Sequence, residues 1–103
     1  MSGVVVTFAE SALKDLEEIL SWYESEYVPE VGARLVAELV EHAADLSDHP
    51  DIGRVVPEFG RKNLRELVHA PFRVVYKREK YRVRILRVWR SERLLRLPDE
   101  PRG

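Results

Sequence analysis

The sequence predicts an α+β domain: an N-terminal strand, an antiparallel helical hairpin, and an antiparallel sheet covered on one face by that hairpin. Three observations carry this prediction. Apolar residues in the first half recur at helical spacing, those from Leu64 to Trp89 follow strand-like runs, and Val28-Pro29-Glu30 divides the helical half in two. The 103 residues fit one domain, assigned to 4–97, with 98–103 as a short tail.

The first strand is read from Val4, Val5, Val6, Thr7 and Phe8, which are β-branched or aromatic. Thr7 and Glu10 have the spacing of a capping box, with Ser11 a competing N-cap. The helix that follows is expected to reach about Tyr27, with Leu13, Leu16, Leu20, Tyr23 and Tyr27 on its buried face. Pro29 cannot continue that helix but suits the first turn of the next. The second helix carries Leu35, Val36, Leu39, Val40, Ala43 and Leu46 at helical spacing, and should stop near Asp48-His49-Pro50.

Residues 51–64 read as irregular, with turns at Gly53, Pro57 and Gly60 and an apolar anchor at Val55-Val56. Leu64–Val68, Phe72–Lys77 and Arg82–Trp89 then read as three strands, the last two joined as a hairpin through Glu79-Lys80. In the middle strand Phe72, Val74 and Tyr76 share one face and Arg73, Val75 and Lys77 the other. Strict alternation in the last strand places Val83, Ile85 and Trp89 together, with Leu86 and Val88 opposite. Apolar residues on both faces make it a central strand. Ser91–Leu97 is expected to form one helical turn.

The formal net charge of −1 conceals a split. Residues 1–53 carry two bases and twelve acids, a net of −10, whereas residues 54–103 carry fifteen bases and six acids, a net of +9. Such polarity points to a basic face with a polyanionic or acidic partner, or to a sheet that neutralises the acidic helices internally. Between Arg61 and Arg96 arginine outnumbers lysine ten to three, and its planar fork suits carboxylates and phosphates. The absence of Cys excludes disulfides, cysteine-type zinc sites and a cysteine nucleophile. No apolar run nears the roughly 20 residues of a membrane helix. The opening eight residues lack the basic start of a signal peptide, so a cytoplasmic location is expected.

No nucleophilic triad, phosphate-binding glycine loop or dinucleotide fingerprint occurs, and no cofactor is expected. Glu38, His42, Asp45 and His49 lie along one helical face but lack a recognised metal-ligand spacing, so they read as a solvated face. His69 reads as a loop residue beside Pro71. Trp22 and Trp89 read as core residues.

Three segments carry a resemblance. Leu64-Arg65-Glu66-Leu67, Pro71-Phe72-Arg73-Val74-Val75-Tyr76 and Val83-Arg84-Ile85-Leu86-Arg87-Val88-Trp89-Arg90 resemble the ParE/RelE toxin superfamily of bacterial type II toxin–antitoxin systems. The likeness extends from about residue 4 to residue 97. It implies one of two activities. RelE-type members are ribosome-dependent messenger RNA endonucleases. ParE-type members poison DNA gyrase without cleaving RNA. RelE-type chemistry implies a basic residue at the end of the strand before Phe72, another after the last strand, and often a C-terminal Tyr or His. Here Val68 and Ser91 stand at the first two positions, and no Tyr or His follows residue 81. The ParE-type Trp-His-Gly-x-Arg-like segment is matched at Trp89 and Arg93 and departs at Arg90 and Ser91.

The resemblance therefore implies a ParE-like toxin associated with plasmid stabilisation, acting by binding rather than catalysis. A cognate ParD-like antitoxin would silence it, and it would reach DNA only through complexes. Arg87, Arg90, Arg93 and Arg96 are the expected target-facing residues; Arg65 and Arg73 are assigned to antitoxin carboxylates, phosphate or structural acids. A RelE-type endoribonuclease and a non-toxic partner-binding module are the alternatives.

Overall fold

The computed structural model describes residues 3–91. Arg93, Arg96, the expected turn after Ser91 and the 98–103 tail lie outside that range. The elements are β1 (Val5–Phe8), α1 (Glu10–Ser25), α2 (Pro29–Ala44), a 3-10 turn (Asp45–Ser47), β2 (Arg54–Val55), β3 (Leu64–His69), β4 (Phe72–Arg78) and β5 (Arg82–Arg90). The strands form one sheet in the order β1-β5-β4-β3-β2. β2 to β5 pair antiparallel, and β1 joins β5 in parallel, Val5 opposite Arg82 and Phe8 opposite Ile85. β5 is thus central, as its two apolar faces required. β2 is an addition: two residues of the irregular segment pair with Glu66 and Arg65.

The core lies between the hairpin and one face of the sheet. Ala12, Leu16 and Ile19 of α1 and Leu35, Leu39 and Ala43 of α2 pack with Leu67, Phe72, Val74, Tyr76, Val83, Ile85 and Val88. The buried face of α1 is rotated from the expected one. Leu13 and Leu20 are exposed, Ala12, Asp15, Leu16 and Ile19 are buried, and Tyr27 lies beyond the helix at φ 65 and 91% exposed. The expected face counted large side chains, whereas the small Ala12 lets α1 lie close to the sheet. Trp22 is likewise exposed, edge-on to Tyr23. The helices approach closely at Gly32, where a Cβ would stand 2.9 Å from the Tyr23 Cβ.

Neither expected side-chain cap of α1 forms: Ala9 occupies the N-cap and no side chain bonds there. The start of α1 instead satisfies β5. β1 covers β5 only as far as Ile85, which leaves backbone groups beyond it unpaired on that edge. The Ala9 N–H donates to the Ile85 carbonyl at 2.8 Å, Ser11 Oγ to the Leu86 carbonyl at 2.7 Å, and the Val88 N–H to Asp15 Oδ2 at 2.8 Å. Three α1-side groups thereby take the place of the missing strand.

Leu86 is a bulge. Tyr76 pairs with Ile85 but Val75 pairs with Arg87. An extra residue inverts the alternation beyond it. Val88 therefore joins Val83 and Ile85 in the core, and Trp89 turns to the outer face with Val56, Leu64 and Val75. This corrects the grouping of Trp89 with Val83 and Ile85.

Candidate functional site

The outer face of the sheet holds most of the basic residues, and it is closed in its middle. Glu66 of β3 is completely buried beneath β2 and the 56–63 segment. Its carboxylate accepts from Arg54 Nε at 2.5 Å and from Arg73 Nε at 2.7 Å. Arg73 reaches on to Glu58, donating from Nη2 at 3.0 Å and from Nη1 at 3.3 Å. The Arg73 side chain is only 5% exposed. Two arginines and two carboxylates thus neutralise one another above Val56, Val75 and Trp89. Hydrogen bonds from Arg73 hold the Glu58 carboxyl below its usual range.

Arg73 is therefore placed among structural acids, where it presents no guanidinium to solvent. Arg65 lies on the opposite, helix-facing side. Its Nη1 donates to the Gly53 carbonyl at 2.8 Å and its Nε lies 3.9 Å from Asp51. It fastens the 50–54 segment together with Arg78, whose Nε donates to Asp51 Oδ1 at 3.0 Å, and Tyr76. The Tyr76 hydroxyl donates to the Pro50 carbonyl at 2.9 Å and accepts from the Gly53 N–H at 3.0 Å. A Cβ on Gly53 would come within 2.6 Å of that hydroxyl. Burial pushes the Tyr76 hydroxyl pKa up.

Arg87 and Arg90 stand at the free end of β5. Arg87 donates to both Asp15 oxygens, from Nε at 2.8 Å and Nη2 at 3.0 Å, and its guanidinium stacks 4.6 Å from the Trp89 ring centre. Those Asp15 bonds raise the Arg87 pKa. Arg87 nevertheless keeps 41% of its side chain exposed. Arg90 lies 5.7 Å from the Phe72 ring centre on the helix-facing side. Three residues apart on one strand, the two arginines fall on opposite faces, so they flank the strand end instead of forming one patch.

A further cluster is absent from the sequence reading. His42 of α2 and His69 of β3 meet with Nδ1 atoms 3.0 Å apart, and His69 Nε2 lies 3.4 Å from Glu38 Oε1. One imidazole must donate and the other accept across the Nδ1 pair. Their separation of 27 residues left no local signal. Among the described residues, no group of three His, Cys, Asp or Glu is arranged to hold a metal ion, and no helix is long and apolar enough to cross a membrane.

A helical hairpin on a five-stranded mixed sheet, with a basic outer face neutralised at its centre, defines a small α+β class to which known proteins can be compared. Residues 6–95 match the family described as ParE toxin of type II toxin–antitoxin system, parDE; the chain belongs to that family. Among solved structures, it is similar to a chain of the chromosomal ParDE system from P. aeruginosa. The TM-score is 0.72 and the identity 24%, covering 84% of this chain and 95% of that one. It is also similar to a chain of the RelBE2 toxin–antitoxin complex from Mycobacterium tuberculosis, at TM-score 0.63 and 25% identity, covering 86% and 99%. No curated protein matches the chain.

Proposed function

We propose that the chain poisons DNA gyrase by binding it and is neutralised by a ParD-like antitoxin. The observation that carries the choice of binding over catalysis is the position of Arg73. RNA cleavage in this superfamily relies on basic groups facing the scissile phosphate, whereas this guanidinium is 5% exposed and bonded to Glu58 and Glu66. Val68 and Ser91 add no charge at the two neighbouring positions. Arg87 and Arg90 remain as the target-facing candidates at the end of β5, with Arg93 and Arg96 following in sequence. For the antitoxin, α1 offers exposed Leu13 and Leu20 two turns apart, and α2 offers Val40. An amphipathic partner segment that folds on binding suits such a surface.

The test has two arms: gyrase supercoiling and DNA cleavage in the presence of the purified chain, and messenger RNA cleavage on translating ribosomes. Gyrase-dependent DNA cleavage with intact message is the expected result. Message cleavage with normal supercoiling refutes the reading, and so does unimpaired growth when the chain is induced without an antitoxin.

A further inference from the structure

The neutralisation that closes the centre of the outer face does not extend to its other end. Beyond the β5 bulge, towards the β4–β5 turn, lies an open cavity of about 460 Å³. It is lined by Arg61, Asn63, Leu64, Lys77, Glu79, Arg84 and Leu86, three cations against one carboxylate. Glu79 is shared between Arg82, 2.8 Å away, and Lys77 of the cavity lining, 3.9 Å away. Among the described residues, no carboxylate forms an ion pair with Arg61 or Arg84. Lys77 and Arg84 also stand directly opposite each other in the β4–β5 ladder. Like charges at a cross-strand pair are destabilising unless something between them compensates. Elsewhere on this face Arg54, Arg73 and Arg87 each have a carboxylate, whereas the exposed Arg61 and Arg84 line this cavity.

We propose that this cavity binds a small phosphate-bearing ligand of nucleotide size, independently of the surface at the end of β5. Arg61, Lys77 and Arg84 hold the phosphoryl oxygens. Arginine forks do so bidentately and lysine as a point charge. Asn63 supplies a neutral hydrogen-bonding group, and Leu64 with Leu86 forms an apolar wall for the organic moiety. Leu86 follows Arg84 in the period-two alternation of β5, which sets both side chains on the wall of this cavity. Four donor side chains, one carboxylate and a two-leucine wall suit a molecule with one charged end and one flat apolar end.

Titration calorimetry of the purified chain with ADP and with inorganic pyrophosphate, at low ionic strength, tests the site. One-site binding of both is expected, ADP the tighter because only it reaches the leucines. Arg84→Gln and Arg61→Gln each weaken ADP binding about tenfold, the loss expected of a charge-assisted hydrogen bond. Arg34→Gln, on the exposed face of α2, leaves it unchanged. No saturable heat with ADP overturns the proposal, as does unaltered ADP affinity in Arg84→Gln. Binding of a single-stranded oligonucleotide without any binding of ADP also overturns it, because the face would then track a strand backbone instead of enclosing a nucleotide.

Discussion

Asp15 joins α1 to the open edge of β5, and its removal is the most informative single perturbation of the fold. Its carboxylate is 8% exposed and accepts three hydrogen bonds, two from Arg87 and one from the Val88 N–H. Asp15→Ala orphans that buried N–H, which costs about 1–3 kcal/mol. Loss of the pair with Arg87 adds only about 1 kcal/mol, because the guanidinium is 41% exposed and solvent screens it. A total of about 2–4 kcal/mol corresponds to a Tm lower by roughly 10–25 °C in a domain of this size. Asp15→Asn keeps an acceptor for Val88 and should lose about 1 kcal/mol. The assay is urea unfolding followed by circular dichroism, on both variants and on Arg87→Leu. If Asp15→Ala unfolds within about 0.5 kcal/mol of the parent chain, the claim that α1 stands in for a missing strand fails. Arg87→Leu separates two roles: a modest stability change with lost toxicity marks Arg87 as a target contact, whereas unchanged toxicity leaves it a structural partner of Asp15.

Other predictions concern the outer-face network and the hairpin. Arg73→Ala leaves Glu58 and the fully buried Glu66 short of a cation and should cost about 3–5 kcal/mol, measured as a fall in urea midpoint. The folded-state pKa of Glu58 is lowered, so its stabilisation is fully present above about pH 4.5, its unfolded value, and is lost as the pH falls through the lower folded value. Urea midpoints between pH 6 and 3 should therefore drop at the acid end in the parent chain and drop less in Glu58→Gln. Gly32→Ala drives a methyl to 2.9 Å from the Tyr23 Cβ and should destabilise by about 1–3 kcal/mol despite alanine's better helix propensity; equal or greater stability in thermal unfolding would show that the hairpin is looser than its geometry.

Much of this architecture was legible in the chain. Pro29 opened α2 as its fixed φ requires, and the faces of β4 appeared as read, Phe72, Val74 and Tyr76 inward. Local covalent constraint and strict period-two alternation are properties of short stretches, and they survive tertiary packing. The features that went astray all needed a second segment. The Leu86 bulge is invisible locally, because only the register against β4 shows an extra residue. β2 emerged because Arg54 and Val55 pair across to β3. Asp15 is a buried acceptor because β1 stops at Ile85 and leaves the Val88 N–H without a strand partner.

The candidate site divides in the same way. The sequence by itself determined that acidic helices precede a basic, arginine-rich sheet, since charge is fixed by composition and order along the chain. Only the tertiary structure decided which arginines stay open to partners. Arg73 was consumed by Glu58 and Glu66, from 15 and 7 residues away, while Arg84 was left facing Lys77 beside a cavity. A charge becomes silent or available according to what the fold brings within about 4 Å of it, and that distance is set by strand register and loop closure, which no run of neighbouring residues encodes.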